Sequence, residues 1–138
     1  CAEATGMHDY TNAAERDYVS ANALLAAHPA TASHCYGIAA ECVLKALMGN
    51  LQPQVQRVSS SHIGPRLWAE FANHQVLQTH PSRVAGAMKH QAGLNGWDAG
   101  QRYLNRTSAE FAAPQLAAQQ RSARGLLGLL QLAQRGLA

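Results

Sequence analysis

Residues 31–48, TASHCYGIAAECVLKALM, constrain this chain more than any other stretch. At helical spacing, Cys35, Ile38, Cys42, Val43 and Leu47 leave only a thin polar stripe, so a helix here belongs in the middle of the molecule rather than on its surface. Gly49-Asn50 supplies a C-terminal stop. Two features sit awkwardly in a buried helix. Gly37 costs about 1 kcal/mol relative to Ala in a helix interior, a cost tolerated where another backbone approaches closely. Glu41 and Lys45 form an i, i+4 pair in the favourable order. On an exposed face such a pair is worth a few tenths of a kcal/mol.

The remaining segments read as helices around this one. A first helix is expected over 12–27, started by Asn12 with Glu15 three residues later, with Tyr18, Ala21 and Leu25 facing inward. His28-Pro29 then forms the turn, Pro29 barring continuation. A polar loop, LQPQVQRVSSS, follows the central helix. A third helix begins near His62 to Pro65 and carries Leu67, Trp68, Phe71 and Ala72. A fourth is expected over 81–94 and a last one over 114–135, with Leu116, Ala123, Leu127 and Leu130 on one stripe. Leu126 and Leu129 widen that stripe enough to suggest a homodimer face. No stretch alternates apolar and polar residues as a half-buried strand does. The expected class is all-α, an up-and-down bundle with one appended element, with residues 1–9 as an N-terminal extension and 10–138 as a single domain.

Hydrophobic residues make up 47% of the 138 and charged residues 14%, which excludes a disordered tail. The net charge of +3 is compatible with a phosphate or RNA partner but lacks the clustered Lys/Arg of a dedicated nucleic-acid binder. Cys35 and Cys42 are seven residues apart, roughly 10 Å along a helix, too far for a disulfide. Reduced thiols point to the cytoplasm. No membrane-spanning run is visible, because Gly125, Gly128, Gln131 and Gln134 break the last apolar segment. Neither a Gly-x-Ser-x-Gly nor a phosphate-cradling glycine loop occurs, and His74, His80 and His90 lack metal-ligand spacing. No metal and no cofactor is expected.

Three pieces carry polar chemistry: the central Glu41 and Lys45, HIGPRLWAEF at 62–71, and WDAGQRY at 97–103. Taken in this order and spacing, with DYTNAAERDYVSANALL ahead of them, they resemble a bacterial family of small HEPN-like helical proteins. The resemblance covers most of residues 10–103, and AAECVLKA is its most specific segment. It implies a four-helix up-and-down bundle with an additional helix, commonly dimeric. It also implies a shared polar cluster of Glu41, Lys45, His62, Trp97, Asp98, Arg102 and Tyr103. A buried Glu41 left unpaired would cost several kcal/mol, so Arg102 or His62 is its expected partner.

Catalytic members of that family carry an Arg, then four to six intervening residues, then a His. The Arg would hold phosphate bidentately and the His would move the proton of an attacking 2′-OH. Arg57…His62 and Arg83…His90 both fit the spacing. Arg57 lies in the polar loop and its match reads as accidental. Arg83 and His90 fall seven residues apart on the expected fourth helix, hence on one face, although Val84 stands where the pattern carries a polar residue. The favoured reading is therefore a non-catalytic accessory module, binding nucleotide, RNA or a nucleotidyltransferase partner protein as a homodimer. The alternative is a metal-independent endoribonuclease of toxin type that uses Arg83 and His90.

Overall fold

Three of the five helices among the described residues begin on proline. Pro29, Pro65 and Pro81 each occupy the first turn, where the missing N–H is no loss and the fixed φ already suits a helix. In the computed structural model, which describes residues 7–97 and 113–138, the chain is all-α. The helices are α1 (Tyr10–Leu24), α2 (Pro29–Met48), α3 (Pro65–Asn73), α4 (Pro81–Met88) and α5 (Ala113–Gln134). Short 3-10 turns at Gln75–Thr79 and Ala92–Leu94 join them. The only extended pairing among the described residues is a single antiparallel bridge, His8 to Gln54.

The boundaries differ from expectation in three informative places. Asp9, not Asn12, caps α1: its carboxylate accepts the Asn12 backbone N–H at 3.1 Å, so Asn12 is the recipient of the capping bond. Pro29 does not belong to the turn but opens α2, two residues ahead of the expected start at Thr31. The fourth helix stops at Met88, six residues early. There the backbone donors of His90 and Gln91 reach back only three residues, to Ala87 at 3.0 Å and Met88 at 3.1 Å, and the helix tightens out of its α form. His90 thus lies beyond the helix that carries Arg83, and the two do not share a helical face.

Helix α2 is the axis of the molecule. Every residue from Ala39 to Met48 is buried, because α1 and α5 pack along it and α3 adds to its far end. Small side chains let the helices approach: Ala14 and Ala21 of α1 and Ala32 and Ala40 of α2 are fully enclosed. On α5, Leu116, Ala123, Leu127 and Leu130 are all buried, and Leu126 is 0% exposed in the chain's own core. Leu129 turns toward α4, where a Cβ on Gly86 would lie 3.1 Å from it. Polar bonds fix the register between helices: Ser33 Oγ donates to Gln119 Oε1 at 2.6 Å, and Asn22 Oδ1 accepts from Tyr36 OH at 2.6 Å and Gln120 at 3.0 Å.

The glycine of α2 has a specific neighbour. The indole of Trp97 lies flat in the space a side chain at Gly37 would need, since a Cβ there would fall 1.9 Å from Trp97 Cε2. Trp97 Nε1 also donates to the Ser33 carbonyl at 2.8 Å, and His34 stacks on its ring at 5.7 Å. The close approach is that of a side chain rather than of a second backbone. Helix α2 then ends in a Schellman turn: Leu51 N–H bonds Ala46 O at 2.8 Å and Asn50 N–H bonds Leu47 O at 3.1 Å. Asn50 and Leu51 carry φ of 54° and 67°. This reversal throws residues 52–62 back across α2.

Candidate functional site

One turn apart on α2, Glu41 and Lys45 are 7% and 6% exposed, and their side chains meet at 2.9 Å. Their burial has a local cause. The segment before α1 and the loop after α2 pair through His8 and Gln54, with backbone bonds of 2.6 and 3.0 Å, and together they cover this stretch of the helix. Tyr10 comes with the first segment. Its ring lies 5.9 Å from Lys45 Nζ and its hydroxyl accepts the Val58 N–H at 3.4 Å. The second Glu41 oxygen meets His62 Nδ1 at 3.0 Å. Glu41 is therefore fully engaged by a buried lysine and an imidazole whose side chain is 60% exposed.

The loop that delivers His62 is itself anchored. Ser59 Oγ and Ser61 Oγ donate to the two oxygens of Glu70 on α3, and Arg66 Nε binds the same carboxylate at 3.2 Å. The Ser59 bond, followed by those of Ser61 and Arg66, holds the Glu70 carboxyl below the usual carboxylate range.

Between these parts lies a groove of about 300 Å³, walled by His8, Tyr10 and Cys42 around Glu41 and Lys45, with Arg57 and His62 on the loop side. Its charge balance is the informative quantity. Among the described residues Glu41 is the single carboxylate lining it, and it is held by Lys45. Arg57 is exposed and has no partner among the described residues. His8 and His62 add two imidazoles. With Nδ1 directed at Glu41, His62 leaves Nε2 available to a ligand or a proton. Cys42 is no nucleophile here: burial first, and Glu41 next, push its thiol up to about 12. The groove suits an anion small enough to reach Arg57 and His62 together.

The residues singled out from the sequence divide into three groups. Glu41, Lys45 and His62 converge in the groove. Trp97 does not line it; it is buried behind Gly37. Asp98, Arg102 and Tyr103 lie outside the described residues. Arg83 is buried, with Nε bonded to the Ala138 main-chain oxygen at 3.0 Å and a guanidinium nitrogen 3.5 Å from Asn50 Oδ1. His90 lines a separate recess between α4 and α5 that Arg83 does not reach. Burial, then the neighbouring Lys89, holds the His90 pKa below the ordinary histidine value. Sequence reasoning passed over Arg57, His8 and Tyr10. For Arg57 the signal was present as its spacing to His62, while the positions of His8 and Tyr10 follow from a bridge between distant segments.

Among the described residues no three His, Cys, Asp or Glu side chains come together as metal ligands, and no helix is long and apolar enough to cross a membrane. In comparisons with protein-family models, curated proteins and solved structures, nothing matches this chain.

Proposed function

We propose that the chain is an accessory, HEPN-like helical module that binds RNA or a nucleotide through phosphate in the groove over Glu41 and Lys45. The observation that carries this reading is the convergence of Arg57, His62, His8 and Lys45 on one groove whose carboxylate, Glu41, is already paired. Arg57 contributes the bidentate contact that a phosphate favours. His62, held by Glu41 at 3.0 Å through Nδ1, contributes a second donor in its imidazolium form, where Nε2 also carries a proton. On this reading the helices form the four-helix up-and-down bundle with an additional helix that the resemblance implies. The module acts as a homodimer or beside a nucleotidyltransferase partner.

Titration of a 5′-phosphorylated RNA oligonucleotide and of nucleoside monophosphates, followed by fluorescence anisotropy or calorimetry, tests it. Arg57→Ala is expected to weaken binding at least tenfold and His62→Ala severalfold. Both parent side chains are exposed, so melting should barely change. Affinity unaltered in Arg57→Ala would remove the proposal.

One observation favours the endoribonuclease as a second reading. Arg57 and His62, with the Arg–His spacing of catalytic relatives, line the same groove, and a carboxylate orients the histidine. On this reading the candidate pair is Arg57 and His62 in place of Arg83 and His90. Cleavage of RNA that survives EDTA and disappears in His62→Ala would establish it; intact RNA would leave the binding module.

A further inference from the structure

A separate recess lies between α4 and α5, on a different part of the surface from the groove. Its floor is made of glycine. Gly86 comes from α4 and Gly125 and Gly128 from α5, and they border a hollow of about 470 Å³, within the range of small-molecule sites. The space beside Gly86 is taken by Leu129 and that beside Gly125 by His90. Leu129 and Leu132 give it apolar walls. The imidazole of His90 is wedged over Gly125, where a Cβ would fall 2.2 Å from the ring, so its direction is fixed. Nothing stands within 4 Å of the position a Cβ would take on Gly128; the floor is open there.

The charges around this hollow share one sign. Lys89 and Arg135 line it, both exposed and both without a partner among the described residues. Among the described residues no Asp or Glu lines it. The sequence explains why: residues 71–97 and 111–138 contain no acidic residue, yet hold Arg83, Lys89, Arg121, Arg124 and Arg135. Lys89 and Arg135 follow the C-terminal ends of α4 and α5, where a cation suits the helix dipole. That preference accounts for each residue alone. It does not account for both helix ends opening into one glycine-floored hollow.

We propose that this recess binds an organic phosphomonoester, its phosphate held between Lys89 and Arg135 beside His90, and its apolar body resting on Gly128 and Leu132. The volume exceeds what a bare phosphate fills, and the apolar wall selects a ligand with a body. The site is independent of the groove that carries Arg57.

Phenyl phosphate is the probe, with inorganic phosphate and phenol as controls, titrated by calorimetry and by phosphorus NMR. The expected result is saturable binding of phenyl phosphate at least tenfold tighter than that of either control. Lys89→Gln and Arg135→Gln should each weaken it fivefold or more, and Arg57→Ala should leave it unchanged. Gly128→Leu should fill the hollow and abolish binding while the melting temperature holds or rises. Should Gly128→Leu fold poorly, the Lys89→Gln and Arg135→Gln results decide. The proposal is overturned by absent saturation, by equal affinity for the controls, by loss of binding in Arg57→Ala, or by glutamine variants that melt lower yet bind as the parent does.

Discussion

A single hydrogen atom at position 37 sets how closely the Trp97 indole approaches α2. Replacing it by a methyl group would gain about 1 kcal/mol in helix propensity. The new carbon would nevertheless fall 1.9 Å from a ring that is 5% exposed and bonded to the Ser33 carbonyl. A buried ring held on two sides cannot swing aside as a surface side chain can, and overpacking of this kind costs about 1–3 kcal/mol. Gly37→Ala is expected to lower unfolding stability by up to about 2 kcal/mol net. It should also red-shift the Trp97 emission when read in a Trp68→Phe background. Equal or higher stability would show that the indole has somewhere else to go. Much of this residue-scale picture was legible beforehand: a glycine amid Tyr36, Ile38 and Ala39 announces a close approach. The identity of the intruder was not, because Trp97 lies sixty residues away in sequence and its docking depends on tertiary packing.

Among the elements, the loop between α2 and α3 has the most to hold in place. It has no regular structure of its own, yet it presents both Arg57 and His62. Glu70 keeps it there through Ser59, Ser61 and Arg66. Because these bonds depress the Glu70 pKa in the folded state, they stabilise the fold above the unfolded carboxylate value of about 4.3. The contribution fades as pH falls through that value toward the lower folded one. Glu70→Gln should melt below the parent at pH 7, with the gap narrowing as pH falls below about 4.3; a gap that does not narrow between pH 7 and strongly acid solution would contradict this assignment. The same variant should weaken phosphate binding without touching the groove. The helices on either side were readable from periodicity and proline placement. The short fourth helix was not, since Pro81 to Leu94 keeps a helical pattern throughout and only its backbone bonding shows the change of form. The meeting of Glu41 with His62 could be argued from the cost of burying a lone carboxylate. The presence of Arg57 beside them could not, because it rests on how a polar loop folds back.

At the scale of the whole molecule, a long-range contact joins α4 to both the chain's last described residue and the turn after α2. Arg83 is 6% exposed and is used up in bonds to Ala138 and Asn50. Hydrogen bonds to a charged group are worth about 1.5–3 kcal/mol each, and the Asn50 contact at 3.5 Å is long. Arg83→Ala is therefore expected to lower stability by about 2–3 kcal/mol while leaving affinity for a 5′-phosphorylated oligonucleotide within twofold. The opposite pattern, intact stability with lost affinity, would return Arg83 to the binding machinery. Charge also divides at this scale. Carboxylates occupy α1, α2 and α3, while the described α4 and α5 carry none, so the two recesses sit in different fields.

The two recesses have one practical corollary for anyone handling this protein. His8 stands at the rim of the groove and Arg135 at the rim of the glycine-floored hollow. A purification tag fused ahead of Met7 or behind Ala138 would hang over one mouth or the other, and a polyhistidine tail would bring its own imidazoles to the anion. Affinity reagents should be cleaved off, or placed on an exposed loop, before either cavity is assayed.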